Sequence, residues 1–356
     1  MKRKITKCQQ IANDIKNRIS ANIYTAGNRI PPELSLCEEY DASRITVRNA
    51  IKSLENEGVL YRIQGKGTYV RETDKKNRKL IAFLVEDIYP QNIPAYNFFL
   101  LFLYDLIHKM ETSAHRRGWT TVIYNSLSNE KKEKENIEII KNSRPDAVIV
   151  IHSGYRKNYK YIEHLAKTDI PLVLIDRWYD SNTPISVVTT DNFEAGYKGT
   201  KALLEDFGCS HPVYFTVDDK NRTCEDRLHG FRTACAEKAL DYNIIVVPRN
   251  MHLDTTAEEA ITEYLNTHPE TDGIFSISTG ATTGIYNALK KLGIKDMSIA
   301  YMDPISFELN EYNRAIITQS IINITETAIN ILENYDIMER NVIKISPDIK
   351  IKFKKR

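Results

Sequence analysis

The sequence predicts an α/β protein in two parts, an N-terminal winged helix-turn-helix followed by a larger, two-lobed α/β domain. Its 356 residues exceed the roughly 250–300 that one hydrophobic core usually serves. Residues 1–79 hold 17 Lys and Arg against 9 Asp and Glu, although the formal net charge of the whole chain is only +2. From residue 80 onward, short apolar runs alternate with helical patterns. We therefore divide the chain into a head at 1–71, a linker at 72–79 and an α/β domain at 80–356.

The composition is that of a folded globular protein, with 42% hydrophobic and 27% charged residues. The apolar runs are far shorter than the ~20 residues of a membrane-spanning helix, and charges interrupt the N-terminal segment where a secretory signal would be apolar. We therefore expect a cytoplasmic protein without a membrane partner. The five cysteines form no C-x-x-C pair, so we expect reduced, mostly buried thiols and no metal site.

Two helices are predicted at the start of the head. The first is expected to end near Asn22, and isoleucines recur along it at helical spacing. These are Ile11, Ile15 and Ile19. Pro32 suits the first turn of a short second helix that runs to about Tyr40. Its predicted buried residues are Leu34, Leu36 and Cys37.

A third helix is predicted after Ser43, which stands where an N-cap belongs, and it stops near Gly58. Its apolar stripe consists of Val47, Ala50, Ile51 and Leu54. Its first turn and exposed face carry hydrogen-bonding side chains, placed as on a recognition helix that enters the major groove of DNA. These are Arg44, Thr46, Arg48 and Asn49. The alternative is an ordinary solvated helix face.

A two-stranded wing is predicted next, because VLYRI and TYVRE alternate as strands do on either side of a glycine-rich turn. The turn consists of Gln64, Gly65, Lys66 and Gly67. Its glycines allow close approach of the backbone, and Gln64 and Lys66 can reach a phosphate or the minor groove. A wing alone is weak evidence, but this order of elements on a basic segment favours DNA binding.

Several motifs of the head closely resemble the DNA-binding module of the GntR family of bacterial regulators, over about residues 5–71. They are I-P-P-E-x-x-L from Ile30, S-R-x-T-V-R from Ser43, L-E-N-E-G-V-L from Leu54 and G-K-G-T-Y-V from Gly65. The resemblance implies DNA contacts from two places, the recognition helix and the wing tip. The residues are Ser43, Arg44, Thr46 and Arg48 on the helix, and Gln64, Gly65 and Lys66 on the wing. The chain departs from the family at Asp41-Ala42, where Gly-Val is usual.

The large segment contains two sets of buried, strand-like runs, so it is predicted to form two lobes with a ligand crevice at the carboxyl ends of the strands. The first set lies at 80–85, 120–124, 146–151 and 171–176, and the second at 187–190, 213–217, 244–247, 273–277 and 298–301. Neither G-x-G-x-x-G nor a P-loop follows any strand, so we expect no nucleotide cofactor. Adjacent acids such as Asp218 and Asp219 point apart on a strand, which argues against glycosidase chemistry and against an enzyme.

This segment resembles the effector domain of the lac/galactose-repressor family, which is related to periplasmic sugar-binding proteins, over about residues 80–356. The motifs are I-P-L-V-L-I-D-R from Ile170, T-D-N-F-E-A-G-Y from Thr190, E-D-R-L-H-G-F from Glu225, S-I-A-Y-M-D from Ser298 and I-I-T-Q-S-I from Ile316. The resemblance implies a periplasmic-binding-protein-like fold that takes a small sugar between its lobes. It places Arg227 and Asp303 on the residues that hold sugar hydroxyls. A pairing of Arg227 with Asp226 or Glu225 on a helix surface is the alternative.

Several further residues are candidates for the cleft. Asp191 either caps a helix or binds ligand, and Trp178 either stacks on a sugar or packs in the fold. Trp178 follows Leu174–Arg177, which we expect to be an interlobe segment, and Gln319 is expected at a third crossover. Residues near the end of the first strand complete the set, namely Glu86, Asp87, Tyr96 and Asn97. Ser278-Thr279-Gly280 stands where relatives carry Asn-Asp, which leaves the sugar unidentified.

The combination of head and effector domain resembles the arabinose-repressor type of regulator. The resemblance implies a homodimer on a palindromic operator, which represses carbohydrate-utilisation genes and responds to L-arabinose or a related pentose or deoxyhexose. The alternative is a sugar-binding protein or a sugar-acting enzyme without a role on DNA. The sequence does not indicate whether the effector releases or promotes DNA binding.

Overall fold

A computed structural model describes residues 6–20, 23–25, 27–71, 79–86, 98–152, 154, 156–248, 252–305, 307, 309–336 and 341–354. The chain divides into two compact units, residues 1–78 and 79–356. Of the predicted cleft residues, Asp87, Tyr96 and Asn97 lie outside the described residues, as does most of the predicted linker, 72–78.

The first unit contains three helices and a two-stranded antiparallel sheet. In chain order they are α1 (Lys7–Ser20), α2 (Glu33–Tyr40), α3 (Arg44–Asn56), β1 (Leu60–Ile63) and β2 (Gly67–Val70). The predicted stripe of α3 is buried and packs with Ile11, Ile15 and Leu36 in one core. One predicted core position of α2 was wrong, because Leu34 is 64% exposed, whereas Cys37 is half-buried and packs against this core. Leu34 and Leu36 are two residues apart, about 200° around a helix, so they cannot both face the core.

Asp41 explains how the chain turns without the glycine that is usual there. Its backbone is left-handed, with φ of 44°, and it ends α2. Aspartate is one of the few side chains that tolerate this conformation. Ala42 follows and packs against the core of the head, and Ser43 then caps α3. The turn between α2 and α3 is therefore retained, although Asp41-Ala42 replaces the usual Gly-Val.

The second unit alternates strands and helices. In chain order they are β3 (Leu80–Val85), α4 (Phe98–Arg116), β4 (Thr120–Asn125), α5 (Glu130–Ser143), β5 (Ala147–Val150), α6 (Tyr159–Ala166), β6 (Leu172–Ile175), β7 (Ser186–Thr190), α7 (Asn192–Lys201), β8 (Pro212–Val217), α8 (Arg222–Glu237), β9 (Asn243–Val247), α9 (Leu253–Thr267), β10 (Gly273–Ser276), α10 (Thr279–Leu292), β11 (Ser298–Met302), β12 (Asn313–Thr318), α11 (Ile321–Glu333), β13 (Val342–Ile345) and β14 (Asp348–Lys352).

Two sheets form the two lobes. The first-lobe sheet has the order β13-β7-β6-β5-β3-β4 and is parallel, and the second-lobe sheet has the order β14-β12-β11-β10-β8-β9 with β14 antiparallel to β12. Alternate residues of β3 enter different cores. Phe83 belongs to the core that includes α4 and α11, and Leu84 to the core that includes α5 and α6. The first-lobe sheet is therefore covered on both faces, as its continuous apolar strands predict.

The chain passes between the lobes after Thr190, after Thr318 and after Ile345. Gln319 therefore lies at the second passage, not the third. Leu174–Arg177 is not an interlobe segment, because β6 and β7 belong to the same sheet. Strands β12, β13 and β14 were not predicted from the sequence. Both β13 and β14 are edge strands with lysines on their exposed faces, so they lack the continuous apolar run that marks the inner strands.

The cysteines are free thiols, but only Cys209 and Cys235 are buried, so the expectation that most are buried was wrong. None of the helices that the structure describes is long and apolar enough to cross a membrane.

Candidate functional site

The predicted recognition residues lie at the start of α3 and along its exposed face. Ser43 Oγ accepts a hydrogen bond from the backbone N–H of Thr46 at 3.2 Å, and the two hydroxyl oxygens are 2.8 Å apart. Ser43 and Thr46 therefore fix the start of the helix. Arg44, Arg48 and Asn49 are exposed beside them, so the structure brings the predicted DNA-contacting side chains onto one surface.

Glu33, on the first turn of α2, is the shared partner of three arginines in the head. Its Oε2 lies 3.2 Å from Arg48 Nη2 and 3.5 Å from Arg44 Nε, and its Oε1 lies 2.9 Å from Arg62 Nη2. Burial alone would raise the pKa of Glu33, but hydrogen bonds from Arg48 and Arg62 outweigh it and hold that pKa below its usual value. One carboxylate thus positions arginines from the recognition helix and from β1.

The wing tip is formed by Gln64, Gly65 and Lys66, all of them exposed between β1 and β2. Gly65 and Gly67 have φ of 75° and 122°, a backbone conformation that favours glycine. A Cβ at Gly67 would overlap the guanidinium of Arg29. The glycines of this turn are therefore required by its conformation.

Sequence reasoning missed Ile45, which is 73% exposed between Arg44 and Thr46. The sequence did carry a signal for it, because Ile45 lies outside the apolar stripe of α3 and an isoleucine there is not explained by the core. Its methyl groups suit contact with the C5-methyl of thymine, which is the apolar feature of the major groove.

In the second unit, Arg227 projects from α8 and is buried, with 7% of its surface exposed. Its Nε donates to Asn192 Oδ1 at 2.7 Å, and its Nη1 donates to the backbone oxygen of Ile277 at 3.2 Å. Its neighbour Asp226 instead pairs with Arg222 and Lys344. The alternative of a surface ion pair for Arg227 therefore does not describe this side chain.

Asp303 and Gln319 lie at the carboxyl ends of β11 and β12. Gln319 Nε2 donates to Asp303 Oδ2 at 2.8 Å, and the backbone N–H of Gln319 donates to Asp303 Oδ1 at 3.2 Å. Thr190 Oγ1 donates to Gln319 Oε1 at 2.8 Å, and the carbonyl of Thr190 accepts from Asn192 Nδ2 at 2.8 Å. Arg227 and Asp303 are thus joined through Asn192, Thr190 and Gln319.

Burial raises the pKa of Asp303 above its usual value, although the hydrogen bonds from Gln319 and the charge of Arg227 oppose that shift. Asp303 also has a left-handed backbone, with φ of 59°. A strained, buried carboxylate at the end of a parallel strand is characteristic of binding sites.

In the first lobe, Glu86 pairs with Arg177, whose Nη1 lies 2.6 Å from Glu86 Oε2 and 3.4 Å from the carbonyl of His152. Asp176, which sequence reasoning did not single out, precedes Arg177 and has φ of 69°. Its Oδ1 is buried and finds no hydrogen-bond partner among the described residues. A buried carboxylate oxygen of this kind suits the hydroxyl of a ligand.

The remaining predicted residues have structural contacts. Asp191 Oδ1 accepts from the backbone N–H of Glu194 at 3.0 Å and so caps α7. Trp178 packs against the first-lobe core, its carbonyl accepts from the backbone N–H of Arg222 at 3.0 Å, and its ring lies 5.9 Å from the Arg222 guanidinium. Ser278, at the point of departure from relatives, caps α10.

Comparisons with known proteins match both the head and the α/β domain of the chain. Residues 7–70 match the model for bacterial regulatory proteins of the gntR family, and residues 103–328 match the model of a periplasmic binding protein domain. An arabinose metabolism transcriptional repressor of Halalkalibacterium halodurans is 30% identical over 310 residues, 83% of this chain and 76% of that protein. A ribose operon repressor of the same organism is 30% identical over 233 residues, 65% of this chain and 64% of that protein.

Solved structures share the fold of the second unit. The transcription regulator CcpA of Lactococcus lactis has a TM-score of 0.64 at 16% identity, covering 78% of this chain and 100% of that one. A periplasmic binding protein/LacI transcriptional regulator from Alkaliphilus metalliredigens, complexed with D-xylulofuranose, has a TM-score of 0.60 at 19% identity with the same coverage.

The two units thus define a class of protein, the DNA-binding regulators that join a winged helix-turn-helix to a two-lobed α/β domain. Within that class, the chain belongs to the family of bacterial transcriptional repressors with a GntR-type head and a periplasmic binding protein domain. This is a family of regulators rather than enzymes.

Proposed function

We propose that the chain is a cytoplasmic homodimer that binds a palindromic operator, represses carbohydrate-utilisation genes and is released by a small sugar held between its lobes. L-Arabinose is the first candidate, because one relative is named an arabinose metabolism repressor, and other pentoses and deoxyhexoses follow.

The observation that carries the sugar proposal is the hydrogen-bonded chain from Arg227 to Asp303. Sugar hydroxyls both donate and accept, so they are held best by a charged donor and a charged acceptor that are desolvated together. Asp176 adds an acceptor from the first lobe, and its buried Oδ1 would be satisfied by a hydroxyl. This set of donors and acceptors favours a neutral polyol over an apolar ligand or an anion.

The proposed switch acts through the two lobes. A sugar that contacts Asp176 in the first lobe and Arg227 in the second favours the closed cleft, because only that state lets it bind both. Closure would change the spacing of the two heads in the dimer, and a palindromic operator requires a fixed spacing of its half-sites. Binding of sugar and of operator would then oppose each other to the same extent.

The first test is selection of duplexes from a random-sequence library with the full-length chain. Dyad symmetry in the selected sites and a stoichiometry of two chains per duplex are expected. A selected site without symmetry, bound by one chain, would contradict the dimer on a palindrome.

The second test measures thermal shifts with L-arabinose, D-ribose, D-xylose, L-rhamnose and D-glucose, followed by anisotropy titrations of the selected operator. A ligand at 100 times its Kd stabilises the folded chain by about 2.7 kcal/mol, so the correct sugar stands out. That sugar should also weaken operator binding. A sugar that binds the chain and leaves operator affinity unchanged would rule out release by that sugar.

Two variants on α8 give a matched control. Arg227→Gln should abolish the sugar-induced thermal shift and keep operator binding, whereas Arg232→Gln, one turn further along and exposed, should keep both. The alternative of a sugar-acting enzyme predicts a chemical product in the same mixtures, which chromatography of the sugar would detect.

A further inference from the structure

A second cavity lies in the first lobe, and its lining includes none of the cleft residues described above. It has a volume of about 760 Å³ and is formed by the start of α5, the 3-10 turn at Arg156–Asn158 and the start of α6. A volume of this size falls in the range of small-molecule pockets.

The cationic character of this pocket is its main feature. Its lining carries one acidic residue, Glu130, and five basic residues, Lys131, Lys134, Arg156, Lys157 and Lys160. The α/β domain as a whole is acidic, because residues 80–356 hold 32 Lys and Arg against 38 Asp and Glu. The positive charge is therefore a local property of this surface.

Several lysines elsewhere in the second unit are held closely by carboxylates, as in Lys198–Glu194 at 2.6 Å and Lys344–Asp226 at 3.2 Å. In the pocket, Lys131 reaches Glu135 only at 3.9 Å. Within the described part of the chain, Lys157 and Lys160 form no ion pair. A bound anion would lower the mutual repulsion of these cations.

Tyr161 contacts two of the pocket lysines through its aromatic ring. The ammonium groups of Lys134 and Lys160 lie 5.0 and 5.1 Å from the centre of its ring. Hydrogen bonding and charge from Lys134, reinforced by Lys160, lower the pKa of Tyr161. The aromatic ring thus holds lysines from two different helices near one another.

The walls of the pocket are fixed by a buried side chain. Asn158, 2% exposed, donates from Nδ2 to the carbonyl of Glu130 at 2.7 Å and to Glu133 Oε2 at 2.8 Å. Glu133 is also 3.1 Å from His152 Nδ1, so its carboxylate is engaged on the buried side. The positive end of the α5 dipole faces the same region, since Asn129 caps that helix and lines the pocket.

We infer that this pocket binds a small phosphate compound with at least two negative charges, such as a pyrophosphate or a sugar bisphosphate. Tetrahedral phosphate oxygens accept hydrogen bonds from several ammonium groups at once, and the concave shape suits a compact ligand rather than duplex DNA. Binding would bring a second chemical signal to the regulator, besides the sugar in the cleft.

The test is calorimetric titration of the full-length chain with inorganic pyrophosphate, fructose 1,6-bisphosphate and ATP, with sulfate at equal ionic strength as the comparison anion. Saturable binding of one phosphate compound per chain is expected. The double variant Lys134→Gln/Lys157→Gln should weaken it about tenfold or more. The matched control Lys141→Gln/Lys167→Gln removes two exposed lysines outside the pocket and should bind as the native chain does.

Absence of saturable binding, or equal binding by the pocket variant and its control, would overturn the inference. So would a pocket variant that loses operator affinity while phosphate binding is unaffected, because the pocket would then be a DNA-backbone contact. Arg227→Gln separates the two sites. If it abolished phosphate binding, the phosphate would occupy the sugar cleft and the inference would fail, whatever the outcome for the sugar.

Discussion

Arg227 on α8 donates from Nε to Oδ1 of Asn192, the first residue of α7, at 2.7 Å. This contact depends on close packing of the two helices. A Cβ at Gly196 would overlap the backbone carbonyl of Arg227, and a Cβ at Gly230 would overlap that of Phe193. Glycine on both helices therefore lets their backbones meet, and the proposed sugar-binding guanidinium is positioned by that contact.

Gly196→Ala should separate α7 from α8 and displace Arg227. Overpacking of this kind costs about 1–3 kcal/mol, so we expect a lower free energy of unfolding and a larger loss of sugar response than of operator binding. The two tryptophans of the chain, Trp119 and Trp178, both lie in the second unit, so their fluorescence reports its unfolding in urea.

Gly280→Ala is the control for that change. Gly280 is also helical, but a Cβ there would have ordinary contacts with Leu253, the nearest at 3.7 Å. It should be neutral or slightly stabilising, since alanine favours helix. Equal effects of the two substitutions on the free energy of unfolding would contradict the role given to the α7–α8 contact.

The raised pKa of Asp303 predicts that the stability of the folded chain depends on pH. Burial raises its pKa in the folded chain above the usual value of 3.8, so the folded state holds its proton more strongly than the unfolded state does. Its contribution to stability is present below about pH 3.8 and is lost as the pH rises through the folded pKa. The free energy of unfolding of the ligand-free chain, relative to Asp303→Asn, should therefore decrease over this window and then level off. A difference between the two proteins that is constant with pH, measured by tryptophan fluorescence, would contradict this.

The inner strands could be predicted because burial on both faces leaves a continuous apolar run, as in Leu80–Val85. The strands β13 and β14 were missed because their exposed faces carry lysines. For the head, the spacing of apolar residues was enough to predict the α3 stripe. Leu34 was wrongly assigned to the core, because an eight-residue helix shows too little periodicity to orient it.

The site could be predicted less fully than the fold. Arg227 and Asp303 came from family resemblance, and the polar chain that joins them depends on residues far apart in sequence. Asn192 was not singled out as a site residue, because nothing in the local sequence indicates that its side chain contacts Arg227 on α8. Asp176 was missed for the same reason, since its buried oxygen and left-handed backbone are properties of the fold.

Glu33→Gln should reduce operator specificity. Glu33 holds Arg44, Arg48 and Arg62, and these cations lose their common partner when the carboxylate is removed. Binding to random DNA should rise slightly, because the head becomes more positive, while specific binding falls. We expect the ratio of the two affinities to drop about tenfold. The measurement is anisotropy with selected and scrambled duplexes at one salt concentration.

The control for Glu33 is Glu38→Gln, which removes an exposed carboxylate from the same helix, for which no ion pair is found among the described residues. It should raise affinity for both duplexes and keep their ratio. Stability should change by only about 1 kcal/mol or less in either variant, since these arginines are largely solvent-exposed. An unchanged ratio for Glu33→Gln would mean that the arginines are positioned by DNA alone.

Ile45→Ala should alter base preference without affecting the fold. The side chain is 73% exposed in the free protein, so its removal leaves no cavity in the head. On DNA, its methyl groups are expected to cover the C5-methyl of thymine, and loss of that contact should cost about 1 kcal/mol of operator affinity. Sites selected by the variant should show a weaker preference for thymine at one position of each half-site. Ile45→Val keeps most of the contact area and should retain the preference, whereas Leu34→Ala, which truncates an exposed apolar residue on α2, should leave every position unchanged. Identical base preferences for Ile45→Ala and the native chain would show that this residue does not contact a base.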